Sequence, residues 1–245
     1  EAARRGIICC YKVIISVITS EMVTNELLSH GEVLVNGDAV RARQVANQIA
    51  LRDAIEKCGV KKVFTFHGTV KSAASFVADG SEGIATHFAG VRSPGLSRSG
   101  PPEGRTPNFQ TFHVNGTMPT ASREREMRDF LSAARAVMSN ARCLTEGVDV
   151  PAVDMVAFLS PRRSRVDIVQ ATGRAMRKPR DSDKTTGYVL VPLYVELAVG
   201  ESVEAAVNRA EFDEVWDVLQ SLQEQDDVLA EIIRAMGEER GRAKG

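Results

Sequence analysis

Apolar residues in this chain cluster in short runs, and the longer segments between them repeat apolar positions three and four residues apart. Six runs have strand length: 11–18 (YKVIISVI), 62–66 (KVFTF), 110–114 (QTFHV), 136–140 (AVMSN), 154–159 (DMVAFL) and 187–193 (GYVLVPL). Helical patterns occupy 39–58, 69–79, 120–134 and 165–176. Strands apolar on both faces, alternating with amphipathic helices, predict an α/β fold whose parallel sheet is covered on both sides. Such sheets take ligands at the carboxyl ends of their strands. The run from Tyr11 to Ile18 is too short to cross a membrane and reads as a buried strand. No signal-peptide pattern occurs.

Two stretches depart from the alternation. Between Ser81 and Asn108, five glycines and four prolines crowd a segment with little periodicity, which predicts a long surface loop or a partly disordered one at 81–108. Beyond Val195 the pattern is helical throughout, with Val215, Leu219, Leu222, Leu229, Ile232 and Ile233 spaced for one buried stripe. The expected organisation is therefore a sheet domain over 1–195 and an acidic helical appendage over 196–245.

Length and composition add limits. With 245 residues, 43% hydrophobic and 26% charged, the chain can build one substantial core, or two small ones, without disulfides. A formal net charge of −1 argues against a dedicated basic clamp for nucleic acid. That total is a cancellation: residues 162–180 carry a net +6 and residues 196–239 a net −11. Basic contacts are then confined to a few positions, so any nucleic-acid binding should have a shallow salt dependence. Cys9, Cys10, Cys58 and Cys143 match neither a CxxC metal knuckle nor a disulfide framework, which points to a reduced, cytoplasmic protein. If residues 9 and 10 lie on a strand, their side chains face opposite ways and one of them belongs to the core.

Chemistry concentrates between Ser139 and Arg177. Gly147, Asp149 and Pro151 form a G-x-D-x-P turn just before the strand at 154–159. Its aspartate can accept a hydrogen bond from a sugar hydroxyl, or simply solvate an ordinary turn. Ser164 followed by Asp167 has the form of a helix N-cap with an acidic partner. Near the end of that helix, Gly173 precedes Arg174 and Arg177, whose three-residue spacing lets both guanidiniums face one way. Planar five-donor groups suit phosphate oxygens; the alternative is a solvated basic surface, which Gly173 and Gln170 make the weaker reading.

These segments resemble a known family. QATGRAMR (170–177) resembles motif VI of superfamily 2 helicases, Q-x-x-G-R-x-x-R, and TEGVDVP (145–151) resembles their motif V. VFTFHGTVKSA (63–73) is similar to motif IV, and FHVNGTMPTASREREMRDF (112–130) to the strand, turn and helix that follow it. Their order matches the second RecA-like (P-loop NTPase-like) domain of these enzymes over roughly residues 11–195. LTEGVDVP with RRSRVDIVQATGRAMR is most similar to the bacterial DEAD/DEAH-box group that includes restriction-associated helicases, and FDEVWDVLQSLQEQDDVL to a helicase-associated segment.

The resemblance implies roles. Arg174 and Arg177 are implied to be arginine fingers toward the γ-phosphate of ATP, with Gln170 near the phosphate or attacking water. Gly147, Asp149 and Gly173 are implied to lie on the nucleotide side. His67, Asn140, Arg142 and Thr145 fall where the family contacts the nucleic-acid backbone, although His67 equally suits a cap on the next helix. Neither a G-x-x-x-x-G-K-[ST] loop nor an acidic Mg²⁺ motif after a strand is present, so these residues are half of an ATPase. An N-terminal RecA-like domain of the same polypeptide is expected to supply the rest, Mg²⁺ ligands included, and these 245 residues alone are expected to be inactive. The implied partner is DNA, with RNA left open, and nuclease or methyltransferase modules are further candidates. The competing class is a RecA-like adaptor without catalysis.

Overall fold

The computed structural model describes residues 10–34, 38–79, 83–88, 109–141, 153–160, 168–169, 171–173, 184–209 and 213–223. In chain order the strands are β1 (Cys10–Thr19), β2 (Lys62–Phe66), β3 (Gln110–Asn115), β4 (Ala136–Ala141), β5 (Met155–Phe158) and β6 (Thr186–Val195). The helices are α1 (Ser20–Ser29), α2 (Ala39–Cys58), α3 (Val70–Phe76), α4 (Ala85–Phe88), α5 (Thr120–Ser132), α6 (Val203–Arg209) and α7 (Asp213–Gln223). All six strands join one parallel sheet in the order β1-β6-β5-β2-β4-β3. This is the expected RecA-like layering, with helices on both faces. Among the described residues, no helix is long and apolar enough to cross a membrane.

Alternation along the strands divides the core. Phe64, Met138, Val156, Phe158, Val189 and Val191 face one layer, which Phe130 of α5 and Val218 and Leu222 of α7 close. Ile168 and Ala171, helical at 168–169 and 171–173, join the same layer. Val63, Val137, Met155, Ala157 and Leu190 face the other, under Leu51 and Ile55 of α2 and Phe76 of α3. Ile18, Val23, Leu27 and Val45 continue that side where α1 meets α2. On the first face Phe130 meets Phe64 and Phe112 edge to face, each at a centroid distance of 6.0 Å. Beside it, Lys62 donates to the Leu131 carbonyl at 3.1 Å and to those of Phe130 and Ala133, tying the start of β2 to the end of α5. A cation is favoured there, because the last carbonyls of a helix lack internal donors.

Helix boundaries have local causes. Asp38 Oδ1 accepts from the amides of Val40 and Arg41 at 3.0 and 3.1 Å and starts α2. Gly59, at φ 63°, ends it in the left-handed conformation that glycine adopts without a steric penalty. Thr19 caps α1 through Met22, so β1 passes into α1 with no intervening loop.

The structure corrects two expectations. β1 is an edge strand, not a buried one: among the described strands it pairs only with β6, its outer residues are half-covered, and Ile15 is 37% exposed. The expectation for Cys9 and Cys10 stands apart from these: Cys10 is exposed, and Cys9, the other candidate for the core, lies outside the described residues. The interval 81–108 is not a bare loop where it is described, because residues 85–88 form α4. Pro192 sits in β6 without disturbing its neighbour, since the ladder from β5 runs only from Tyr188 to Leu190.

Candidate functional site

Because every strand points the same way, the segments after β2, β3, β4 and β5 share one edge of the sheet. Backbone bonds lock them together. The amide of His67 donates to the Asn140 carbonyl at 3.0 Å, Leu159 to Phe66 at 3.0 Å, and Gly116 to Ala141 at 3.2 Å. Asn47 of α2 reaches the same edge and donates through Nδ2 to the Leu159 carbonyl at 3.0 Å. A cavity of about 260 Å³ opens between α2, α3 and the ends of β2 and β5, where Arg43, Gln44, Asn47, His67, Ser72 and Ser160 sit in a largely apolar wall.

Two of the four residues expected to contact nucleic acid therefore meet here. His67 is only 3% exposed, with its ring 4.9 Å from that of Phe76. Thr65 Oγ1 donates to the Met138 carbonyl at 3.2 Å, so at 2.9 Å it accepts from His67 Nε2–H, which sets the tautomer. His67 does not cap the next helix; Thr69 does, accepting from the Ser72 amide at 3.1 Å. Asn140 is fully buried at the end of β4. Arg142 and Thr145 lie outside the described residues.

The second face also carries a polar rung. Ser139 is in register with Thr65 on one side and with His113 on the other. His113 Nδ1 lies 2.8 Å from Ser139 Oγ, and its Nε2 lies 3.0 Å from Asn115 Nδ2. Asn115 Oδ1 accepts from both the amide and the hydroxyl of Thr117, at 2.9 and 2.7 Å. That fixes the amide: its nitrogen must face His113, whose Nε2 accepts and whose Nδ1–H donates. Burial holds this ring below the ordinary histidine pKa. The rung thus anchors the turn after β3 in a neutral network.

Of the residues expected on the nucleotide side, Gly173 alone lies among the described residues. It is helical and half-buried, and a Cβ there would meet nothing within 4 Å. Next to it Ile168, Ala171 and Thr172 are buried, so this segment docks by its other side and leaves room over Gly173. Gly147, Asp149, Gln170, Arg174 and Arg177 lie outside the described residues. Sequence reasoning missed the α2 contribution: Arg43 and Asn47, four residues apart with Gln44 between, put polar groups on one helical face.

Comparison with known proteins bears on this edge and the segment after it. Residues 101–179 match the helicase conserved C-terminal domain. The match runs from before β3 through β4 and β5 and takes in TEGVDVP and QATGRAMR whole. It agrees with the expected superfamily 2 helicase C-terminal domain. No curated protein sequence matches the chain at a significant level. Among solved structures, the chain is similar to the ATP-dependent Type ISP restriction-modification enzyme LlaBIII bound to DNA, with a TM-score of 0.70 and 22% identity. The likeness covers 93% of this chain and 15% of that one, and it is one of fold. It is also similar to Mss116p DEAD-box helicase domain 2 bound to an RNA duplex, with a TM-score of 0.41 and 12% identity over 85% of this chain and 74% of that one. For the yeast DEAD-box splicing factor Prp28 the TM-score is 0.43 and the identity 11%, over 82% of this chain and 32% of that one.

Proposed function

We propose that this chain is the second motor domain of an ATP-dependent DNA helicase or translocase, working against an N-terminal RecA-like domain of the same polypeptide. The observation that carries the reading is the helicase C-terminal match at 101–179, laid over a parallel sheet whose carboxyl edge gathers polar groups. DNA is preferred to RNA on the restriction-associated character of 144–151 and 162–177, which accords with the DNA-bound, ATP-dependent enzyme of similar fold.

In this reading Gly147, Asp149 and Gly173 border ATP, and the open space over Gly173 is compatible with a ligand there. ATP supplies the phosphoryl group, and its Mg²⁺ is held by the partner domain. Arg174 and Arg177 place guanidiniums against the phosphate oxygens on which charge builds, and Gln170 orients the neighbouring water. A finger of this kind is worth about 10³ to 10⁵ in rate, or roughly 4–7 kcal/mol. His67 and Asn140, coupled through the backbone at the strand ends, are assigned with Arg142 and Thr145 to the nucleic-acid side. A closing cleft then changes the strand ends that hold the nucleic acid.

The test uses a protein that contains both motor domains. Arg177→Ala should retain DNA binding while losing DNA-stimulated ATP hydrolysis by about 10³-fold or more. Unchanged turnover would remove the finger assignment. Turnover by the 245 residues alone would remove the half-site reading, and wild-type protein without any ATP hydrolysis would leave the adaptor in its place.

A further inference from the structure

Away from the carboxyl edge, Glu26 and His30 of the α1 end meet His87 of α4. Among the described residues they form a group of three metal-capable side chains whose ligand atoms lie within 4.8 Å of one another. Glu26 and His30 are four residues apart on one helical face, and the two imidazoles stand edge to face with centroids 5.2 Å apart. Their outer nitrogens are already committed. His30 Nδ1 lies 2.8 Å from the Glu26 carbonyl oxygen, which can only accept, so Nδ1 carries the proton and Nε2 the lone pair. His87 Nε2 lies 3.0 Å from Gln48 Oε1 and donates to it, and its Nδ1 faces Glu26 Oε1, 2.7 Å away, an ion pair when the ring is protonated and two ligand atoms when it is neutral. Two electron-rich atoms at that distance need a proton or a cation between them.

This arrangement suits a metal: each imidazole donates one N–H to a fixed acceptor, His87 turns its other nitrogen to the Glu26 carboxylate, and a ligand nitrogen of His30 lies within 4.8 Å of both. We infer that Glu26, His30 and His87 bind Zn²⁺, through a carboxylate oxygen, His30 Nε2 and His87 Nδ1, with water completing the tetrahedron. Two imidazoles and a carboxylate suit zinc, whereas Mg²⁺ and Ca²⁺ prefer oxygen ligands alone. Arg52 is the built-in competitor, 2.6 Å from Glu26 Oε1. It also holds Asp53 at 3.0 Å, so it remains paired when the carboxylate turns its second oxygen to the metal. The bound ion would pin α4 to α1. Four residues are too few for a helix to hold itself in water, so this pin would add to the packing of Phe88 that holds α4 in place.

The test is a titration of the full chain, stripped of metal by a chelator, with Zn²⁺ in the presence of a competing dye. One ion per chain is expected, with a raised melting temperature. His30→Gln and His87→Asn should each weaken binding about 100-fold, and Gln48→Leu, which only orients His87, about 10-fold. His30→Gln alters the end of α1 only and keeps the test decisive if His87→Asn fails to fold, which the melt of each metal-free variant reports. Zinc-edge X-ray absorption should find nitrogen and oxygen ligands only. Sulfur in the first shell would assign the ion to cysteine and overturn the site, as would equal affinity in wild type and His30→Gln.

Discussion

Replacing Asn115 by alanine is the sharpest probe of the edge. Asn115 is 8% exposed and makes three hydrogen bonds: one donated to His113 and two accepted from Thr117. Each such bond contributes about 0.5–1.5 kcal/mol net, and the freed groups on Thr117 and His113 are part-buried, so water recovers some of the loss. Asn115→Ala should therefore cost about 2 kcal/mol, or roughly 4–8 °C in melting temperature for a chain of this size. Urea unfolding followed by circular dichroism should show a lower midpoint with an unchanged slope. The same network makes a pH statement. Below the ordinary value of 6.5 the unfolded ring gains a proton that the folded one resists, so this contribution is complete above that pH and is lost as the pH falls. Asn115→Asp places a carboxylate beside Nε2 and should reverse the sign, favouring the folded state in acid. A cost for Asn115→Ala below about 0.5 kcal/mol, or the same acid dependence in Asn115→Asp and wild type, would refute the tautomer and the network built on it.

Other perturbations test the scaffold. Asp38→Ala removes the side chain that accepts two amides at the start of α2 and should cost about 1 kcal/mol in urea unfolding. Phe130→Ala empties a fully buried position between Phe64 and Phe112 and should cost about 3–5 kcal/mol, visible as a large fall in the unfolding midpoint. Asn47→Leu keeps the branching of the side chain but leaves the Leu159 carbonyl without that donor; a loss of about 1 kcal/mol is expected, read by the same unfolding measurement.

Much of the fold was legible because strand and helix periods differ. The pattern over 39–58 gave α2 to the residue, since Asp38 and Gly59 mark its ends chemically. The run 62–66 likewise gave β2. Failure came where neighbours decide. Tyr11–Ile18 is as apolar as a central strand, yet its place at the edge follows from the strand order, which no local pattern encodes. α1 escaped because Thr19 and Ser20 join it to β1 without a turn and its apolar residues extend the same run. At the site, motif spacing located the turn after β2 and the end of β4, but not the burial of His67 or the rung from Thr65 to Asn115. Those arise from register across three strands. The Glu26, His30 and His87 group was hidden for a similar reason: His87 is remote in sequence from the other two and is brought beside them by the fold.

The pairing of β1 with β6 also governs how this domain is made. Ten residues at one end of the sheet find their partner across 176 positions of chain, as from Cys10 to Thr186. On the ribosome, the first strand of the domain must wait until nearly all the others have emerged. Loop closure of that length is slow, and an unpaired VIISVI edge is the kind of surface that captures other chains in the meantime. Chaperone dependence and aggregation during synthesis should therefore track β1, and charged substitutions at its half-exposed positions should raise the soluble yield with little change in the finished fold.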